Sequence, residues 1–101
     1  MVRRVIWTPL ASQIFQCVLL YYYRKTGSKT FSAKLNEKIQ KDIRLLERHP
    51  FLGKPTEFDT IRVLSEGNYR IIYQVNEKDI VILMIWDNRQ NPDELDISSL
   101  F

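Results

Sequence analysis

Residues 61–86 read IRVLSEGNYRIIYQVNEKDIVILMIW, and this stretch decides the fold. Ile61 to Leu64, Tyr69 to Val75 and Ile80 to Trp86 are rich in β-branched and aromatic residues, and Ser65-Glu66-Gly67 and Asn76-Glu77-Lys78-Asp79 separate them. Runs of that composition and length predict strands, and connections so short join them as antiparallel neighbours. The last run, IVILMIW, is apolar on both faces, which predicts an interior strand of the sheet.

The first hairpin carries a register argument about two arginines. If Ser65-Glu66-Gly67 is a three-residue loop with Gly67 at positive φ, Leu64 faces Asn68 and Arg62 faces Arg70. Alternation then puts Ile61, Val63, Tyr69, Ile71 and Tyr73 on the covered face, and leaves Arg62 and Arg70 together on the open one. Like charges directly opposed cost stability, a cost understandable on a surface that grips phosphate or carboxylate. Arg89, just past the last strand, could join them. The plainer reading is three solvated arginines, and a loop of another length sends Arg62 and Arg70 to opposite faces.

Upstream, Val2 to Trp7 predicts a first strand stopped by Thr8-Pro9. Thr8 caps and Pro9 starts a helix whose apolar residues Leu10, Ile14, Val18 and Tyr21/Tyr22 recur at helical spacing until Gly27. Ser28 or Thr30 caps a second helix with the stripe Phe31, Leu35, Ile39, Ile43 and Leu46; Pro50 closes it, and Pro50 to Thr60 reads as a loop. The order β-α-α-β-β-β predicts an α+β domain: a helical hairpin packed on a mainly antiparallel four-stranded sheet, with residues 1–101 as one domain.

The bulk composition agrees with a folded chain of that size. It has 101 residues, 45% hydrophobic and 27% charged, and a net charge of +3 that favours anionic partners. Cys17 is the only cysteine and His49 the only histidine, so a disulfide, a thiolate zinc site, a histidine pair for metal and a Ser/His/Asp triad all lack support. No cofactor or metal is expected. Gly27, Gly53 and Gly67 form no phosphate loop, and neither a signal peptide nor a membrane span is legible, so the expected location is cytoplasmic.

Three further groups have ordinary readings. His49 at the end of the second helix complements the helix dipole. Tyr21, Tyr22 and Tyr23 point in different directions from a helix, so at least one is core rather than a stacking platform. Asp87, Asp93, Glu94 and Asp96 around Pro92 read as a solvated turn into a tail.

The opening VIWTPLA, then HPFLGKP, IRVLSEGNYRIIYQV and IVILMIWDNRQNPDEL, in that order over nearly the whole chain, resemble the RelE/ParE toxin superfamily. The resemblance implies a small α+β fold and the toxin of a type II toxin–antitoxin, or plasmid stabilization, system, neutralised by a cognate antitoxin protein. It implies two alternative targets: RelE-like members are mRNA interferases that cut messenger RNA on the ribosome, and ParE-like members poison DNA gyrase. A member that only binds its partner is a third reading. On the RelE-like reading Arg62, Arg70 and Arg89 are catalytic, neutralising charge on the phosphorane, and with Lys54 they form the nucleic-acid-binding set. That branch commonly uses a C-terminal tyrosine or histidine; DNRQNPDELDISSLF has neither, and Leu95 stands roughly where a tyrosine is wanted. The WDNRQNP ending looks more ParE-like, which favours gyrase.

Overall fold

A computed structural model describes residues 2–87. Arg89, Leu95 and the acidic residues Asp93, Glu94 and Asp96 therefore lie outside the described residues. The elements are β1 (Arg4–Trp7), α1 (Pro9–Thr26), α2 (Lys29–Arg48), β2 (Lys54–Pro55), β3 (Ile61–Glu66), β4 (Tyr69–Val75) and β5 (Asp79–Asp87). The sheet order is β1-β5-β4-β3-β2, with β1 parallel to β5 and the other pairs antiparallel. The expected α+β layering is present, and β5 is interior. One difference is a fifth strand: the segment read as a loop contributes Lys54–Pro55, which pairs with Val63 and Arg62. Two residues, one of them proline, are too few to show an alternating pattern.

Capping explains both helices. The Thr8 hydroxyl accepts the Ala11 N–H at 3.1 Å and itself donates to the Ile82 carbonyl at 3.0 Å, while Thr8 N–H donates to the same carbonyl. One residue thus starts α1 and fixes its start to β5. Gly27 ends α1 at φ 66°, in the left-handed region, and its N–H donates to the Tyr23 carbonyl. Ser28 caps α2, and the Ser32 hydroxyl reaches across to the Leu19 carbonyl at 2.6 Å, tying the helical hairpin together.

The main core lies between the helices and one sheet face. Ala11, Phe15 and Tyr22 of α1 and Leu35, Ile39, Ile43 and Leu46 of α2 pack on Tyr69, Ile71, Tyr73, Ile80, Ile82 and Ile85. Trp7 stacks on Phe15 at 5.5 Å between ring centroids. Phe31, expected in the α2 stripe, is largely exposed but packs its ring on Tyr22 at 4.9 Å. On the opposite sheet face Ile61, Ile72 and Leu83 form a smaller cluster with Phe58, Val63, Val81, Met84 and Trp86 around it. A register shift between Ile72 and Tyr73 on β4 makes room for it: Ile72 pairs Met84 and Tyr73 pairs Ile82, so Leu83 is the extra residue and both Leu83 and Met84 join the second cluster.

The β3–β4 hairpin differs from the three-residue loop expected. Glu66 pairs with Tyr69, so the turn has two residues, Gly67 and Asn68, and only Gly67 has positive φ, at 56°. That sign pattern belongs to a type II′ turn, whose twist suits two-residue hairpins. One residue fewer in the turn reverses the parity of β3. Arg62 now faces Tyr73 and Arg70 faces Ser65, while Ile61 and Val63 move to the second cluster.

Candidate functional site

Arg62 sits on the helix side of the sheet and Arg70, exposed, on the other, so the pair expected on one face is divided. Arg62 has structural employment. Its Nη1 donates to the carbonyls of Gly53 at 2.7 Å and Phe51 at 3.3 Å, and its guanidinium lies 4.8 Å from the centre of the Phe51 ring. Lys54 is exposed on β2. Arg70 is flanked in the sheet by Ser65 and Trp86.

The loop that Arg62 grips is built from inside. Tyr73, fully buried, donates its hydroxyl to the Pro50 carbonyl at 2.8 Å and accepts the Gly53 N–H at 2.9 Å. Burial pushes its phenol above the ordinary tyrosine value, with the Gly53 N–H and the nearby Arg62 charge opposing, so it stays a neutral donor. Gly53 packs so closely that a Cβ there would lie 2.6 Å from Tyr73 Oη and 2.9 Å from the Val63 carbonyl carbon. Thus HPFLGKP is a backbone clasp that turns Phe51 and Leu52, two large apolar side chains, outward.

A second junction joins α2 to the hairpin. Lys38 Nζ lies 3.0 Å from Glu66 Oε1, and Asp42 shares a hydrogen bond with the same carboxylate. Below about pH 6 the two carboxylates share one proton. Burial, then the hydrogen bond and the charge of Glu66, push Asp42 up to about 6, while Asp42 and Lys38 hold Glu66 below its ordinary value.

A groove of about 680 Å³ runs along α1, closed on one side by Ile85 and Asp87 of β5. Its floor is Leu10, Ile14, Cys17 and Tyr21, spaced four, three and four residues apart. These form a second apolar stripe beside the buried one of Ala11, Phe15 and Tyr22. The helix is therefore apolar over more surface than the sheet covers, whereas α2 buries its one stripe. Lys25 sits in the groove at the end of α1, beside Arg24. In the sequence Leu10, Ile14, Val18 and Tyr21/Tyr22 stand out only as helical spacing, from which no site follows. The signal was the run from Leu10 to Tyr23, which holds more apolar positions than one helix–sheet contact uses. Among the described residues no group of His, Cys, Asp or Glu could hold a metal ion, and no helix is long and apolar enough to cross a membrane.

Two helices on one face of a largely antiparallel sheet, entered by a parallel β1, define the RelE/ParE class of small toxins. A family model for the ParE toxin of the type II toxin–antitoxin system parDE matches residues 5–92, and the chain belongs to that family. A solved chain from the chromosomal ParDE toxin–antitoxin system of P. aeruginosa has the same fold: TM-score 0.73 at 21% identity, over 85% of this chain and 96% of that one. No curated protein matches the sequence.

Proposed function

We propose that this ParE-family chain acts by binding a protein, DNA gyrase, and that a cognate antitoxin neutralises it by laying an apolar helix in the α1 groove. The observation that carries the choice of target chemistry is the division of Arg62 and Arg70 between sheet faces. A nuclease that stabilises one phosphorane needs its cations aimed at one point. Arg62 instead spends its donors on two backbone carbonyls. What the surface offers is apolar: the Leu10, Ile14, Cys17, Tyr21 stripe has the spacing with which a helix receives another helix, and Arg24 and Lys25 at its end favour an acidic partner.

The test is inducible expression of the chain alone, followed by gyrase supercoiling and ribosome-programmed cleavage assays on purified protein. Growth arrest with inhibited supercoiling and intact messenger RNA is expected. Cleavage of messenger RNA that Arg70→Ala abolishes would overturn the gyrase reading, and harmless expression would leave a chain that only binds its partner.

A further inference from the structure

We infer that Phe51 and Leu52, with the flanking Arg3 and Arg62, are the anchor by which this chain docks on its protein target, filling an apolar pocket rimmed by carboxylates. The inference rests on the protein-binding reading above and assigns it a surface.

Phe51 is 60% and Leu52 51% exposed, adjacent on the five-residue loop between α2 and β2. A loose loop with apolar tips would be unremarkable. This one is held from beneath by the buried Tyr73 hydroxyl, from the side by Arg62, and by a Gly53 with no space for a side chain. The fold thus commits a buried phenol, an arginine and a glycine to present two apolar side chains outward in one fixed geometry. Preorganisation of that kind lowers the ordering cost of association, and an aromatic beside arginine is the composition of interface anchors.

The charges say what the pocket carries. The Arg3 and Arg62 guanidiniums lie 5.9 and 4.8 Å from the Phe51 ring centre. Both hydrogen-bond backbone carbonyls, Arg3 Nε to Asn76 and Arg62 Nη1 to Gly53, and among the described residues neither is ion-paired. Asp59 and Glu77 line the same hollow as Arg3, Phe51 and Arg62 but pair with neither guanidinium, so both arginines keep donors for carboxylates on the partner. A nucleic acid is a poorer fit, because Leu52 beside Phe51 has no face on which a base can stack.

The loop also lies away from the α1 groove. Arg3 and Asn76 border the end of the sheet where β5 begins at Asp79, whereas Ile85 and Asp87 of the groove are where β5 ends. Nine residues of strand separate the two ends, about 27 Å. Target and antitoxin therefore engage different ends of the molecule.

Purified wild type and the Phe51→Ala/Leu52→Ala variant are compared for inhibition of gyrase supercoiling, for gel shift of plasmid DNA alone, and for thermal melting. Expected is a cooperative melting transition lowered by no more than a few degrees through loss of the arginine–ring contacts, with at least about tenfold more variant needed for inhibition, and recovery when Phe51 is replaced by Tyr. If the double variant does not fold, Arg3→Glu, which reverses one flank and leaves the clasp intact, must weaken inhibition in its place. Equal inhibition by a folded variant overturns the inference and leaves the gyrase reading standing. A wild type that leaves gyrase untouched overturns that reading, and the inference with it. A shift of naked DNA that the variant loses overturns the inference in favour of nucleic acid.

Discussion

Gly53, Tyr73 and Arg62 act as one unit, and each fails differently. Tyr73→Phe removes the hydroxyl between Pro50 O and Gly53 N–H and leaves both groups without that partner, a loss of about 1–3 kcal/mol that denaturant unfolding would show as a lower midpoint at constant slope. Gly53→Ala drives a Cβ against backbone as well as the Tyr73 ring, so it should destabilise at least as much. Arg62→Ala should lower the melting temperature while Arg70→Ala, exposed on the other face, stays within about 0.5 kcal/mol of wild type; equal effects would contradict the clasp. In the sequence the two arginines look alike. What separates them is turn length, and SEGN admits a two- or a three-residue turn with glycine at positive φ in either. Arg62's partners, the carbonyls of Phe51 and Gly53, are backbone groups that carry no residue signature at all.

Between elements, Lys38 and Asp42 of α2 meet Glu66 of the β3–β4 hairpin, and below about pH 6 the two carboxylates share a proton. Asp42 is raised in the folded chain, so its contribution is complete below about 3.8 and is lost as pH rises through about 6; Glu66 is lowered and opposes this on the acid side. Asp42→Asn keeps a donor toward Glu66 at every pH. Its melting temperature should therefore exceed wild type at pH 8 by a few degrees and converge with it near pH 5, since a partly solvated pair is worth about 1 kcal/mol. A gain independent of pH would show that the carboxylates do not share the proton. Element order and helix ends were legible because caps and periods are local: Thr8-Pro9, Gly27 and Ser28 mark them within one turn. The carboxylate pair was not, because Asp42 and Glu66 meet only after the sheet brings the hairpin under α2, and Lys54–Pro55 as a strand depends wholly on β3 beside it.

At the scale of the whole molecule, α1 is the element whose second apolar stripe stays uncovered among the described residues. Tyr21 is 56% exposed within an apolar groove, so the chain alone should self-associate at high concentration, and Tyr21→Lys should reduce light scattering without lowering the melting temperature. The same variant should weaken capture by the antitoxin. The apolar excess of α1 could be counted in the sequence, yet which stripe meets the sheet could not, since both Ala11-Phe15-Tyr22 and Leu10-Ile14-Tyr21 have helical spacing. The sheet itself separates two cores, and the two tryptophans fall one to each: Trp7 stacks on Phe15 under α1, and Trp86 borders Ile61, Ile72 and Leu83 on the far face. Trp7→Phe and Trp86→Phe thus make two single-emitter proteins, one glowing from each side of the same sheet. If their fluorescence is lost at one denaturant concentration, the two faces melt together; if Trp86 reports first, the face without helices is the earlier to open.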